Sequence, residues 1–432
     1  MDVKDLIPVV ADLREEYLSK DLSMLTNREE ASQLSLQSKL AQVVIGVRRS
    51  GKSTLCEKFL LEHNVQCAYV NFDEERLADL KNEDLNKLLE AIYFVYGEVE
   101  YFFFDEIQNI AVWPLFVNRL LRQGKHLFLT GSNAKLLSNE LMTHLTGRHH
   151  KVELYPYSFQ EYANAKGVDT VSFTTKASSL RKRTLHEYMQ YGGFPELLGE
   201  DYKRSYIDGL LNAIIRNDIS RRFNIRHIDV LMRMANYLAD NYAQEFVAKE
   251  VASIFGISNH TAENYYSYLK EAFLFIGVQK FSFKSRERLR YEKYYVIDLA
   301  FANERPGTFS SGNWGWKLEN VVCIELLRRY RPHYVDIYYY KERSFEVDFV
   351  VAKAGQIIEL LQVSYDIISD KTQKREIKAL LTASNKLNCN NLTLITFDRQ
   401  EELEINGKTI HIVSAADWLC KHRLSSNMHM SM

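Results

Sequence analysis

The chain has 432 residues, of which 46% are hydrophobic and 26% charged, a balance that excludes a wholly disordered protein and, at about 150 residues per domain, predicts roughly three domains. The 55 Lys and Arg nearly cancel the 56 Asp and Glu, so any surface that attracts nucleic acid must be local. No apolar run approaches about 18 residues, the N-terminus lacks a signal-peptide pattern, and the five cysteines are scattered, so we expect a cytoplasmic protein with no membrane partner, disulfide framework or zinc site.

The first part of the chain alternates strands with helices. After a charged helical segment (residues 1–38), five hydrophobic stretches have the composition of strands. They are Leu40–Ile45, Gln66–Phe72, Glu100–Phe104, His126–Thr130 and His150–Leu154. Strands that alternate with helical patterns form βαβ units, so we predict an α/β domain with a parallel sheet over residues 39–165.

Three further domains are expected downstream. Residues 166–244 have a helical pattern, and residues 245–302 combine helix-turn-helix with two strands joined by a basic loop, which is the outline of a winged helix. The Pro- and Gly-containing stretch Asn303–Asn313 is typical of a linker. We expect a smaller α/β domain over residues 303–424 and a disordered tail over residues 425–432.

A glycine-rich motif follows the first predicted strand. It reads Gly46-Val47-Arg48-Arg49-Ser50-Gly51-Lys52-Ser53, followed by Thr54. The backbone N–H groups of such a loop contact phosphate oxygens, and the helix that begins near Ser53 adds its positive dipole end. We expect Lys52 to reach the β- and γ-phosphates and the Ser53 hydroxyl to ligate Mg²⁺. The motif therefore predicts a P-loop that binds ATP and Mg²⁺.

Two acids follow the third predicted strand. Asp105 is expected to join the coordination sphere of Mg²⁺, and Glu106 to polarise the attacking water. The alternative is a core strand with a solvated acidic end. Because a metal ligand and a base are both supplied, this pair favours ATP hydrolysis over binding alone.

Three further residues are candidates for the same reaction. In an AAA-type sheet, the fourth strand lies between the P-loop strand and the Asp-Glu strand, so Ser132 or Asn133 at its tip can contact the γ-phosphate or the lytic water. The alternative is a helix cap by one of these side chains. Arg148, just before the last strand, can act in trans on the γ-phosphate of a neighbour, which requires a homo-oligomer; a surface ion pair is the alternative.

Taken together, these motifs resemble the bacterial and archaeal ATPases that join an AAA-type (archaeal-ATPase-like, STAND-related) P-loop domain to a C-terminal domain of unknown function. The matching pieces include GVRRSGKST at 46–54, YFFFDEIQN at 101–109, LTGSNAKLLS at 129–138, YGGFPE at 191–196 and YEKYYVID at 291–298. The resemblance begins near residue 38 and implies ATP binding with slow hydrolysis.

The predicted wing is locally basic. Its charged residues are Lys280, Lys284, Arg286, Arg288, Arg290 and Lys293, against Glu287 and Glu292. Such a surface suits DNA phosphates, although the second helix of the unit carries few cations. The alternative is a lid or a module that binds an unidentified protein partner.

The C-terminal domain resembles the PD-(D/E)xK nuclease core. Glu319 and Asp348 match its acids, but the motif tripeptide reads Gln362-Val363-Ser364 and lacks the lysine. Metal-dependent cleavage needs hard oxygen ligands and a lysine beside the attacking water, so we expect binding without cleavage. Other lysines of the domain, Lys341, Lys353 and Lys371, lie in predicted loops or at helix starts.

The sequence therefore predicts a Mg²⁺-dependent ATPase that works as a nucleotide-driven switch coupled to a winged helix and a nuclease-like domain. An ATP-regulated DNA-binding regulator is the first alternative, and an ATP-dependent nuclease is the second.

Overall fold

The computed structural model describes residues 1–110, 112–131, 145, 147–172, 174–308, 312–366 and 370–420. The chain forms two compact units, Met1–Pro156 and Tyr157–Met432. Within the described ranges, no helix is both long and apolar enough to cross a membrane.

The first unit is built on a parallel sheet of five strands in the order β2-β3-β4-β1-β5. The strands are β1 (Ala41–Ile45), β2 (Cys67–Asn71), β3 (Tyr101–Asp105), β4 (His126–Gly131) and β5 (His149–Glu153). The helices are α1 (Val3–Ser19), α2 (Lys52–Glu62), α3 (Leu85–Tyr96) and α4 (Trp113–Arg122). This architecture confirms the predicted α/β class and the position of the fourth strand between the first and the third.

The sheet forms because strands β1 to β4 are largely buried and apolar on both faces, as expected for a parallel sheet covered by helices, whereas the edge strand β5 is polar. Phe102, Phe103 and Phe104 of β3 are fully buried. The N-terminal helix α1 belongs to the same core: it packs on α3 and β2, and its buried Tyr17 stacks on Tyr69 at 5.2 Å between ring centroids. The predicted helical segment at residues 1–38 therefore contributes to the first unit.

The second unit combines helices with a mixed sheet of nine strands in the order β13-β14-β12-β11-β10-β9-β7-β8-β6. Its strands are β6 (Gln244–Glu245), β7 (Phe275–Lys280), β8 (Glu292–Val296), β9 (Asp336–Lys341), β10 (Glu346–Lys353), β11 (Gln356–Ser364), β12 (Leu392–Thr396), β13 (Glu401–Ile405) and β14 (Lys408–Ser414). Its helices are α5 (Phe159–Ala165), α6 (Thr175–Tyr191), α7 (Lys203–Ala213), α8 (Arg221–Phe223), α9 (Ile228–Asp240), α10 (Ala248–Phe255), α11 (Asn259–Glu271), α12 (Ser285–Arg290), α13 (Ala300–Asn303), α14 (Trp314–Tyr330), α15 (Asp370–Leu387) and α16 (Ala415–Cys420).

The expected helix-turn-helix and hairpin elements are present. Gly256 ends α10 at φ +64°, and the Ser258 side chain accepts the Thr261 N–H to cap α11. Strands β7 and β8 pair antiparallel, but the connection predicted as a basic loop contains helix α12. In addition, β7 pairs parallel with β9, so one sheet runs through the domain boundary predicted at residue 303.

The stretch predicted as a linker, Asn303–Asn313, begins as part of the core. Arg305 is only 3% exposed and forms an ion pair with Asp240. The Asn303 side chain donates hydrogen bonds to two carbonyl groups at the end of α6. The linker prediction is therefore wrong for its first residues, because turn-forming composition does not reveal a buried ion pair. Residues 309–311 and the tail predicted to be disordered, residues 425–432, lie outside the described residues.

Two sequence motifs of the second unit meet in one contact. Asp298 accepts the Gly193 N–H at 2.7 Å and the Ala300 N–H at 2.8 Å. A Cβ on Gly192, which has φ +80°, would lie 1.9 Å from the Asp298 carboxylate. Burial raises the pKa of Asp298 to about 6, although both backbone hydrogen bonds oppose that rise. The GGFP turn and the YVID segment thus form a single anchored corner.

Candidate nucleotide site

The glycine-rich loop connects the carboxyl end of β1 to the start of α2. Gly46 is required by close packing, because a Cβ there would lie 2.0 Å from the Leu154 carbonyl oxygen. Gly51, at φ +91°, is the N-cap of α2, and Lys52 is the first residue of the helix. The loop therefore presents backbone N–H groups and a helix N-terminus at one place, which is the arrangement that binds phosphates.

The lysine of the loop is held by the loop itself. Lys52 is buried, and its Nζ donates to the Val47 carbonyl oxygen at 3.0 Å. Outside the motif, Arg28 donates to the Ser50 carbonyl oxygen at 2.9 Å and to the Tyr155 carbonyl oxygen at 2.5 Å. Both cations thus stabilise the loop through its carbonyl groups, and Lys52 can exchange its carbonyl partner for a phosphate oxygen.

The structure brings together Asp105 and Ser53, the two residues predicted as magnesium ligands. The Ser53 hydroxyl donates to Asp105 Oδ1 at 2.9 Å, and the Thr130 hydroxyl donates to the same oxygen. Burial raises the pKa of Asp105 to about 6; the hydrogen bonds from Thr130 and Ser53 oppose this rise, and the charge of Glu106 adds to it. A hydroxyl and a carboxylate that are hydrogen-bonded to each other at the end of the loop are suitable oxygen ligands for Mg²⁺.

Glu106 directly follows the metal-ligand candidate in an unusual backbone conformation. Its φ is +51°, a left-handed value that is uncommon for residues other than glycine, Asn and Asp. Its side chain is half-buried and accepts a hydrogen bond from Gln108 Nε2, while its N–H donates to Thr130 Oγ1 at 3.4 Å. Glu106 therefore lies at the same strand end as Asp105, and its charge contributes to the raised pKa of Asp105.

Thr130 and Arg28 are site residues that the sequence interpretation missed. Thr130 is the one hydroxyl side chain in the apolar run of β4 and is fully buried, which is a signal that the strand pattern alone could have given. Arg28 lies in the N-terminal segment, far from the loop in sequence, and no local pattern marks it. The two residues first named for the tip of β4, Ser132 and Asn133, lie outside the described residues.

Arg148 does not join this cluster. It is exposed and immediately precedes β5, whose first residue His149 is level with Ala41, the first residue of β1. The loop follows the last residue of β1, so Arg148 lies at the opposite edge of the sheet from the P-loop of its own chain. A role for it in hydrolysis would need a second copy of the chain.

The nuclease-like residues come together in the second unit. Glu319, Asp348, Gln362 and Ser364 line one cavity of about 780 Å³. Of the three lysines considered from the sequence, Lys341 and Lys353 are described and do not line it, while the side chain of Lys371 lies outside the described residues.

Lys293, counted with the basic wing, is instead buried beside the acids of this cluster, while Lys374 and Lys378 line the cavity itself. Lys293 is only 5% exposed and forms ion pairs with Glu319 and Glu346. Its assignment to a DNA-binding wing is therefore not compatible with the structure, because a buried, paired ammonium cannot reach a phosphate. The remaining cations of the wing keep that interpretation open.

Family models match three successive stretches of the chain. A family model for an AAA domain matches residues 38–163. Models of two domains of unknown function, DUF8612 and DUF4143, match residues 182–310 and 314–418.

Two solved structures are similar at a low level. The RuvB Holliday junction branch migration motor of Thermotoga maritima has a TM-score of 0.29 at 16% identity, over 61% of this chain and 88% of that one. The ORC1 protein of Aeropyrum pernix, solved in complex with DNA, has a TM-score of 0.27 at 13% identity, over 70% and 95%.

Two relatives are similar over nearly their whole length. An uncharacterized protein of Methanocaldococcus jannaschii is 33% identical over 396 residues, which cover 87% of this chain and 87% of the relative. An uncharacterized protein of Haemophilus influenzae is 31% identical over 416 residues, which cover 91% of this chain and 98% of the relative. The chain therefore belongs to the family of AAA-domain proteins that includes these two relatives.

Proposed function

We propose that the protein hydrolyses ATP in a Mg²⁺-dependent reaction at the P-loop. The observation that carries this proposal is the convergence of Ser53 and Thr130 on the buried carboxylate of Asp105, at the end of a glycine loop that presents Lys52. These residues fit the expected group, since Ser53 and Asp105 would hold Mg²⁺ and Lys52 would contact the β- and γ-phosphates. When bound, the metal supplies positive charge to the phosphate oxygens.

Glu106 is the proposed base. Its carboxylate would accept a proton from the water that attacks the γ-phosphate, while Thr130 keeps the strand end in place through the Glu106 N–H.

Two substitutions test the proposal. Lys52→Ala should abolish nucleotide binding, measured with a fluorescent ATP analogue, because the cation over the phosphates is lost. Glu106→Gln should keep that binding and lower phosphate release by roughly 100-fold or more, the scale of a positioned base. Glu100→Gln is the matched control, because this exposed acid precedes the opposite end of β3. Phosphate release by Glu106→Gln at the parent rate would exclude Glu106 as the base.

At a finer level, we propose that the nucleotide state works as a switch for the second unit, in a cytoplasmic protein with an unidentified protein partner. The presence of a P-loop, a helix-turn-helix with hairpin and a nuclease-like cluster on one chain supports this proposal. Purification of the tagged protein from its host with ATP or ADP, followed by identification of bound proteins, tests it. A set of bound proteins that is the same in both nucleotide states would count against a switch.

A second candidate function is DNA binding by a winged helix. It is favoured by the exposed segment around α12, where Arg286 and Arg290 are exposed and Arg288 is half-buried. Within the same segment, the charge of Lys284 is partly neutralised by Glu287. The acid Glu292 pairs with Lys270 of α11.

Salt titration of duplex DNA binding tests this second function. Replacing Arg286, Arg288 and Arg290 by alanine should reduce the slope of log affinity against log salt by roughly three, one for each phosphate contact. Removing Lys176, Lys182 and Arg183 from α6 is a control of equal charge. Equal slopes for the two triple variants would contradict DNA binding at α12.

We propose that the nuclease-like cluster serves for binding and does not cleave DNA. The motif strand has Gln362 and the neutral hydroxyl of Ser364 where an acid and a lysine are expected. The ammonium that the structure brings to the acids, that of Lys293, is already paired with Glu319 and Glu346. Cleavage of DNA that requires Asp348 would support the ATP-dependent nuclease instead.

A further inference from the structure

The nuclease-like cluster contains a buried lysine that comes from the hairpin. Lys293, on β8, lies 3.1 Å from Glu319 Oε1 on α14 and 2.5 Å from Glu346 Oε1 on β10. The Tyr295 hydroxyl, on the same strand, donates to Glu319 Oε1 at 2.7 Å. Three elements that are separate in sequence therefore meet at one ammonium group.

Lys293 remains charged in this position. Burial by itself lowers the pKa of a lysine, but the nearby carboxylates of Glu319, Asp348 and Glu346 outweigh burial, and the pKa of Lys293 is raised. An ammonium that is almost fully buried and paired in this way is a fixed part of the structure, since losing either partner would leave an uncompensated buried charge.

The other polar groups of the cluster are also engaged. Asp348 Oδ2 accepts the Val363 N–H at 2.8 Å. Gln362 Oε1 accepts the Asp348 N–H at 3.3 Å, and Gln362 Nε2 donates to Glu376 at 2.7 Å. Gln362 thus directs its oxygen to the backbone, so it is not positioned as a metal ligand.

A divalent cation in this cluster would compete with the lysine. Mg²⁺ in a nuclease-like site takes the oxygens of the helix acid and the strand acid, at about 2.1 Å. Here the helix acid Glu319 is paired with an ammonium that also lies in the field of Asp348. Two positive charges within a few ångströms of each other repel strongly in a buried site, so the carboxylates hold one or the other.

We propose that the ammonium of Lys293 takes the place of the divalent cation in the nuclease-like cluster, which is therefore a metal-free site held together by ion pairs. This inference rests on the nuclease-like interpretation proposed above and does not depend on ATP hydrolysis. It also gives the hairpin a role: β8 supplies the cation that neutralises the acids of α14 and β10.

Removing the ammonium should convert the cluster into a metal site. In the full-length, nucleotide-free protein, Lys293→Met should gain one Mn²⁺ site, measured by electron paramagnetic resonance of free Mn²⁺, with affinity raised roughly tenfold or more over the parent. The gain should disappear in Lys293→Met/Asp348→Asn. Lys341→Met is the matched control, because Lys341 also pairs with Glu346, at 3.5 Å, but is half exposed.

Each outcome decides the proposal. A folded Lys293→Met protein that gains no site overturns it, and so does a parent protein whose Mn²⁺ binding is lost in Asp348→Asn. If Lys293→Met does not fold, the comparison of the parent with Asp348→Asn remains decisive, since the proposal requires equal Mn²⁺ binding by the two. ATP hydrolysis is tested separately with Glu106→Gln, and the result of that test does not depend on Mn²⁺ binding at the nuclease-like cluster.

Discussion

At the residue scale, Asp105 shows how a buried carboxylate is kept usable. Burial favours the protonated form and raises the pKa of Asp105 to about 6, whereas Mg²⁺ binds the ionised form. The hydroxyls of Thr130 and Ser53 donate to the carboxylate and so stabilise its charge. Because Ser53 is needed as a metal ligand in the proposed reaction, Thr130 is the donor that can be removed without removing a ligand.

Thr130→Val should therefore weaken the proposed reaction while keeping the shape of the strand. Loss of the hydroxyl raises the pKa of Asp105 further and leaves the Glu106 N–H without this acceptor. A hydrogen bond to a charged group contributes about 1.5–3 kcal/mol, so turnover at limiting Mg²⁺ should fall roughly 10-fold or more. Phosphate release as a function of Mg²⁺ concentration measures this, with Thr130→Ser as the control that keeps the hydroxyl. Parent-like turnover of Thr130→Val would show that the hydroxyl has no such role.

At the scale of elements, the nine-stranded sheet joins parts that look independent in sequence. The hairpin β7–β8 extends the C-terminal strands through the pairing of Gln279 with Tyr338 and of Lys280 with Tyr339. A hairpin that forms part of a larger sheet has less freedom to move as a separate module. The corner formed by Gly192, Gly193 and Asp298 then fixes the end of α6 to the segment after β8.

Gly192→Ala should disrupt that corner. The new Cβ would overlap the Asp298 carboxylate, and the positive φ adds backbone strain. Gly256→Ala is the matched control in the same unit, because Gly256 has φ +64° with no atom within 4 Å of the new Cβ. Chemical denaturation should show that the free energy of unfolding of Gly256→Ala is lower than that of the parent by about 1 kcal/mol. For Gly192→Ala the free energy of unfolding should fall by about 1–3 kcal/mol more. Equal losses would mean that the corner contributes only its backbone conformation.

At the scale of the whole molecule, the sheet separates two features of the proposed reaction. The P-loop follows the carboxyl end of β1, whereas Arg148 precedes β5 at the amino end. With five residues per strand and about 3.3 Å per residue, the two lie on the order of 16 Å apart along the sheet. The exposed Arg148 can therefore contribute to hydrolysis only at the P-loop of another copy.

If Arg148 acts in this way, Arg148→Ala should lose turnover and keep its affinity for ATP, because the charge it supplies is needed only in the transition state. Turnover per chain of the parent should rise with protein concentration. Lys151→Ala is the control, because Lys151 is an exposed cation on β5, the strand that Arg148 precedes. A protein that is monomeric by light scattering with ATP, and still fully active, would exclude the trans arrangement.

The sequence by itself determined the parts of this protein that depend on neighbouring residues. The P-loop is recognisable because Gly46, Gly51 and Lys52 lie within one short loop, and their spacing reflects a local turn between a strand and a helix. The five strands of the first unit and their parallel arrangement follow from hydrophobic runs that alternate with helices. Ser53 and Asp105 could both be named from the sequence as candidate ligands of one Mg²⁺, because each belongs to a local motif. Their direct hydrogen bond is seen only in the structure.

Only the tertiary structure decided the contacts between distant segments. Arg28 donates a hydrogen bond to the P-loop, and Thr130 donates one to Asp105. Lys293, which the sequence places in the basic wing, forms a buried ion pair with Glu319. None of these pairs has a local pattern, because the free energy of a buried ion pair or hydrogen bond depends on packing and not on sequence spacing. The sequence shows that Lys293 carries a positive charge, but the partner of that charge depends on the surroundings of the side chain. On a solvated hairpin the ammonium would attract phosphate, whereas in the core it takes the place of a metal ion.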